Sequence, residues 1–211
     1  MMIHGIKTHR ELQVLKPVLK KWQDLNTYLS SEEDVAWWYN ERASLSVFAG
    51  ALWKCGGWAF EEFSIERRTQ STRRKAQGRC DIQFEFKGHG YIGEAKQTWF
   101  SLGKKRPVSI KKVERDLSRA QHEIRQIQVK ANHQIAMTFV VPEINISESA
   151  NLSKHIEEFV QELHKIKNAA LAWTFPQFAR NMRPDNQYRD YIYPGVALVL
   201  IPANSASNKN Q

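Results

Sequence analysis

The chain is poor in the residues that carry several familiar chemistries. It has two cysteines, Cys55 and Cys80, in 211 residues. That is too few for a disulfide framework or a four-thiolate zinc site, so both are expected to be small core residues. Its longest aliphatic run, Val196 to Ile201, falls far short of the roughly 18 apolar residues needed to cross a bilayer. Met1 to Trp22 mixes His, Lys and Arg among its apolar residues. It offers no unbroken apolar region of the signal-peptide kind, which makes the cytoplasm the expected location. A Walker loop, a Gly-x-Ser-x-Gly elbow, a His-Glu-x-x-His helix and a Cys-x-x-Cys pair are all missing, which removes the commoner nucleotide, hydrolase and zinc readings. No repeat and no long Pro, Gly or Ser linker divides the chain. One domain over 1–202 with a polar tail over 203–211 is therefore expected.

What is present is a composition for a core and an excess of positive charge. With 42% apolar and 11% aromatic residues, a chain of this length can bury roughly 70% of its unfolded surface. Thirty-one Lys and Arg against 22 Asp and Glu leave a net charge of +9. Such an excess suits a polyanionic partner, nucleic acid or anionic membrane.

Ser30 with Glu33 reads as a capping box, and Gly56-Gly57 as a stop, so one helix is expected between them. Its stripe would run Val35, Trp38, Leu45, Phe48, Leu52, with Glu41 filling the gap on the core-facing side. Trp58 to Ile65, Arg79 to Phe86 and Tyr91 to Trp99 read as three strands. Ser109 to about Lys130 reads as a helix with Val113, Leu117, Ala120, Ile124 and Ile127 inward. Strands follow at 135–141, 169–175 and 196–201, with a helix over 152–166. The order predicts an α/β sandwich of three layers, a mixed sheet with helices on both faces. The segment 176–194, rich in Arg and Tyr, has no obvious place in a minimal core.

The chemistry concentrates around Gly78-Arg-Cys-Asp81-Ile and Ile92-Gly-Glu94-Ala-Lys96-Gln97. Glu94 and Lys96 are two apart on a strand, hence on one face, about 6 to 7 Å apart. Ile82, Phe84 and Phe86 must share a buried face with Tyr91, Gly93 and Ala95, which demands an even-numbered loop. A loop of Lys87 to Gly90, with Phe86 opposite Tyr91, would put Asp81 opposite Lys96 and Glu94 opposite Gln83. Two carboxylates and an ammonium then share one surface, with Glu41 approaching from the first helix. Oxygen donors of this kind suit a hard cation such as Mg²⁺.

This pattern, Asp81 with Glu94-Ala95-Lys96, preceded by a helix bearing Glu41 and followed by a basic helix, resembles the PD-(D/E)xK nuclease superfamily. The resemblance covers about residues 31–141 and implies a restriction-endonuclease-like core in the order α-β-β-β-α-β. Cys80 stands where the family name has Pro. The resemblance implies a Mg²⁺-dependent nuclease, with Mn²⁺ able to substitute. Asp81, Glu94 and Lys96 would be catalytic. Asp81 and Glu94 would bind the metal with Glu41 in support, and Lys96 would position or activate the attacking water.

The charge map agrees with a phosphate-bearing substrate. Residues 66–79 carry a net +5 and residues 101–130 a net +6, so the rest of the chain sums to −2. Arg73, Arg74, Lys75 and Arg79 precede the Asp81 strand. Lys104, Lys105, Lys111, Arg115 and Arg119 follow the Lys96 strand, and Lys111, Arg115, Arg119 and His122 form one helical stripe suited to sequence-independent phosphate contacts. Gln97 can reach the substrate as well. A membrane-surface helix would need an apolar face beside these cations, and that face is needed for the core. DNA is the expected partner, and a homodimer is compatible with cutting two strands. A non-catalytic nucleic-acid-binding module and an RNA-directed nuclease are the alternatives on the same fold.

Overall fold

A computed structural model describes residues 3–68, 75–103, 110–127, 131, 133–184 and 190–203. The elements are β1 (Ile3–Lys7), α1 (Lys16–Ser31), α2 (Glu41–Lys54), β2 (Trp58–Arg68), β3 (Lys75–Phe86), β4 (His89–Ser101), α3 (Ile110–Arg125), β5 (His133–Asn145), α4 (Leu152–His164), β6 (Ala170–Phe175), β7 (Tyr191–Ile192) and β8 (Val196–Pro202). They build an α/β fold around one mixed eight-stranded sheet in the order β1-β6-β8-β5-β4-β3-β2, with β7 paired to β5. Helices cover both faces. One core joins α1 and α2 to Ile82, Phe84, Tyr91, Ala95, Met137 and Leu198, and the other joins α3 and α4 to Val140, Leu171 and Val199. Among the described residues no helix is long and apolar enough to cross a membrane.

The segment from α2 to β5 runs helix, antiparallel meander, helix, strand, and β5 lies parallel to β4, in the expected order. Two expectations need correction. The helix expected from Ser30 to the double glycine is two helices. Ser30 lies in the last turn of α1, its hydroxyl donating to the Thr27 carbonyl. Glu33 then adopts φ 61°, and Ala36–Trp38 form a single 3-10 turn. Helix α2 begins at Glu41 because Asn40 caps it, its side-chain oxygen accepting from Ala43 N at 3.1 Å. Val35 and Trp38 therefore stand outside the helix, while Leu45, Phe48 and Leu52 face inward as expected. Glu41 occupies the first turn.

The hairpin is tighter than expected. Lys87 and Gly88 both have positive φ, 51° and 76°, and make a two-residue turn with Phe86 opposite His89. The register thus slides by two residues relative to a four-residue loop. Parity is preserved, so Ile82, Phe84, Phe86, Tyr91 and Ala95 still share the buried face against α1 and α2. Asp81 falls at the level of Glu94, and not of Lys96. Gly93 lies opposite Ile82, and a Cβ there would stand 2.9 Å from both Ile82 Cγ2 and Met137 Cε.

Segment 176–184 and 190–194 folds back on the sheet. Tyr193 is 5% exposed in the core beside α1 and α2, and its carbonyl accepts from the buried Trp37 indole at 3.2 Å. Trp99 meets Tyr193 edge to face at 5.3 Å. These aromatics serve packing.

Candidate active site

The site forms where the three-stranded meander comes apart. Pairing of β3 with β4 reaches Ile82 opposite Gly93, and one residue beyond it the Asp81 carboxylate takes the Ala95 N–H at 2.8 Å. A side-chain acceptor thus replaces the backbone ladder and fixes the Asp81 carboxylate. Strand β4 carries Glu94, 2% exposed. Two residues on is Lys96, which faces α3, its ammonium 2.7 Å from the Glu123 carboxylate. The same face of β4 is held to α3 again at Thr98, whose hydroxyl donates to buried Asp116 at 2.7 Å. From the other side of the sheet, the first turn of α2 brings Glu41 to the backbone N–H of Gln97.

Four charged groups from four elements therefore act on one another: Glu41 of α2, Asp81 of β3, Lys96 of β4 and Glu123 of α3. Burial pushes the Glu41 carboxyl up to about 7. Lys96 opposes the rise, Asp81 and Glu123 add to it, and the Gln97 N–H opposes it. Burial works against the Lys96 ammonium, yet Glu123, Glu41 and Asp81 outweigh it and its pKa lies above the ordinary lysine value. Lys96 is a retained cation. Cys80, beside Glu94, has its thiol pushed up to about 12 by burial first and by Glu94 second. It stays protonated and donates to the Ile82 and Gly93 carbonyls, each at 3.4 Å, so it is a packing residue as expected.

The donor chemistry fits a hard cation. Glu41 and Asp81 are oxygen donors; burial is the main cause of the raised Glu41 pKa and the Asp81 charge adds to it, a repulsion that a divalent ion would relieve. Among the described residues no three His, Cys, Asp or Glu side chains form a group that could hold an ion. The fit is one of ligand type and of charge.

The other expected contacts divide by position. Arg79 is exposed and bonds Glu62 at 3.2 Å. Lys111, Arg115 and Arg119 are exposed on the outer face of α3, on the same helix as Glu123. Gln97 turns toward α2, accepting from the Ser44 hydroxyl at 3.0 Å and donating to the Trp37 carbonyl at 3.4 Å. Its side chain anchors α2 beside the site. Arg73, Arg74, Lys104 and Lys105 lie outside the described residues, as does the side chain of Lys75. Glu123 was not singled out from the sequence. The available signal was its spacing of seven from Asp116, which puts both acids on the β4-facing side of α3.

Neither a family model, nor a curated protein, nor a solved structure matches this chain. Its class rests on the fold and the site themselves, an α/β protein whose mixed sheet presents an acidic cluster built around one lysine.

The raised Glu41 pKa has a measurable sign. An unfolded chain releases this proton at the ordinary 4.5, and the folded one holds it to about 7. Between these values the folded state binds more protons, so stability falls as pH rises and the loss is complete above pH 7. Glu41→Gln removes the charge and is expected to melt with wild type near pH 4.5 and progressively above it up to pH 7 in EDTA. Thermal melts across this window decide the matter, and a Tm offset independent of pH would contradict it.

Proposed function

We propose that this chain is a metal-dependent nuclease of the PD-(D/E)xK type, with a restriction-endonuclease-like core, that hydrolyses DNA phosphodiester bonds. The observation that carries the reading is the convergence of Glu41, Asp81, Lys96 and Glu123 from four elements of an α-β-β-β-α-β segment. Surface ion pairs do not normally keep a carboxyl protonated near neutrality.

Glu41, Asp81 and Glu94 would hold Mg²⁺ or Mn²⁺. When bound, the cation neutralises charge on the phosphate and lowers the pKa of a coordinated water. The protein's own groups have separate tasks. The Ala95 N–H orients the Asp81 carboxylate. Lys96 is kept charged by its acidic neighbours and can hold a water or a non-bridging phosphate oxygen as negative charge builds up on phosphorus. Glu123 holds the Lys96 ammonium from the α3 side, while the exposed cations of α3 suit backbone phosphates.

The test is incubation with supercoiled plasmid, linear duplex and single-stranded RNA in Mg²⁺, Mn²⁺ or EDTA. Nicked or fragmented DNA in either metal and intact DNA in EDTA is the expected result. Retarded but uncut DNA in both metals would replace this reading with a binding module, and preferential RNA cleavage would change the substrate.

A further inference from the structure

Three charged side chains beside the site are not used by the chemistry above. Arg42 follows Glu41 in the first turn of α2, and Arg79 stands two residues before Asp81 on β3. Both guanidiniums converge on one carboxylate, Glu62 of β2: Arg42 Nε forms an ion pair with Glu62 Oε1, and Arg79 Nη1 lies 3.2 Å from Glu62 Oε2. The backbone is specially arranged for this. The β2–β3 pairing passes from Glu61 opposite Ile82 to Phe63 opposite Cys80, and Glu62 between them has φ 50°. A left-handed glutamate within a strand is an uncommon and costly conformation. It occurs here at the level of Asp81.

The exposures are unequal. Arg42 and Arg79 are 72% and 68% exposed, while Glu62 is 31% exposed. Two arginines thus face solvent, each within two residues of a member of the acidic cluster, spaced by a carboxylate that contributes one oxygen to each. A phosphodiester offers the same thing, two anionic oxygens for two guanidiniums, and arginine binds phosphate with the same planar fork that it uses for carboxylate. An exposed ion pair is weak enough to be exchanged for such a ligand.

We infer that Arg42 and Arg79 form a clamp for a backbone phosphate of DNA next to the scissile one, with Glu62 occupying the clamp until the phosphate displaces it. The inference rests on the nuclease reading for the identity of its ligand, and it adds two residues, Arg42 and Glu62, to the substrate-binding set. Glu62 would make the free protein bind DNA more weakly than its cations alone would allow. It thereby limits non-specific retention on long polyanions.

Binding of a fluorescein-labelled DNA duplex, followed by anisotropy in EDTA at several salt concentrations, tests the clamp without any cleavage. Glu62→Gln is expected to tighten binding several-fold. Glu61→Gln controls for the loss of one negative charge, because the neighbouring Glu61 carboxylate bonds the Ser46 hydroxyl and, among the described residues, no arginine. Arg42→Ala and Arg79→Ala should each weaken binding several-fold and lower the salt slope by about 1. Arg42→Lys, which keeps the charge and loses the fork, should fall between wild type and Arg42→Ala. Thermal melts confirm that each variant is folded. A Glu62→Gln effect no larger than that of Glu61→Gln, or unchanged affinity and slope in both alanine variants, overturns the clamp. Cleavage is scored separately in Mg²⁺. A chain that shows these binding changes without cutting refutes only the nuclease reading, and one that cuts while ignoring Arg42, Arg79 and Glu62 refutes only the clamp.

Discussion

Lys96→Met is expected to lower the single-turnover rate of metal-dependent DNA cleavage by about 100-fold or more, the usual consequence of removing a preorganised charge from a phosphoryl or acyl transition state. Methionine keeps the length and apolar body of the stem, so the packing of β4 against α3 is largely retained while the ammonium is lost. The loss would appear in the chemical step, because Lys96 sits inside the acidic cluster, 19% exposed and bound to Glu123, and is not one of the exposed cations proposed to contact phosphate. Binding of duplex in EDTA should therefore change far less than cleavage. A cleavage rate within threefold of wild type would remove Lys96 from the chemistry. A proportional loss in binding and rate would move it to the clamp.

The second large effect is structural. Phe84 is completely buried between α2 and the hairpin, edge-on to Phe48 at 5.7 Å and stacked on Tyr91 at 4.7 Å. Phe84→Ala deletes a ring from a close-packed layer that cannot collapse around the gap, because its neighbours are fixed by the sheet on one side and by a helix on the other. The expected cost is about 3–5 kcal/mol, a large part of the roughly 5–15 kcal/mol that holds a domain together. Urea titration measures it directly. A change below about 1 kcal/mol would mean that the two rings do not pack as described. Phe84 pairs with Tyr91 three residues from Asp81 on the same strand, so a variant that remains folded should also lose cleavage through displacement of Asp81.

How much of this was legible in the sequence depended on whether burial and polarity coincided. The strands of the meander were legible because Ile82, Phe84 and Phe86 alternate with polar residues, and the parity of the hairpin followed from that alone. The exact pairing did not follow. Loops of two and four residues satisfy the same parity, and the choice was made by positive φ at Lys87 and Gly88. Helix α1 was missed for a different reason. Its buried face includes Gln23, Asn26 and Ser30 beside Val18, Leu19 and Trp22, so an apolar period breaks there. Gln23 is buried because its amide donates to the carbonyls of Gly5 and Trp173, at 2.7 and 2.8 Å, joining edge strand β1 and its neighbour β6 to the helix. No pattern of hydrophobicity reports such a contact. At the site, Asp81, Glu94, Lys96 and Glu41 could be selected by residue type and spacing. Glu123 and Glu62 could not, because their roles depend on a helix crossing and on one residue of left-handed backbone.

Strand β1 pairs with β6, Ile3 lying opposite Phe175, so one edge of the sheet joins segments far apart in the chain. The meander that carries Asp81, Glu94 and Lys96 is contiguous in sequence, its β3–β4 turn has two residues, and its core with α2 is local. Chain-closure entropy makes these local contacts the ones able to form early and the β1–β6 seam the one to form last. The half that carries the acidic cluster would thus acquire its shape before the far edge is sealed. Hydrogen exchange should find its slowest amides in β4 and β5 and its fastest strand amides in β1, where the sheet can open without disturbing the lysine and its acids.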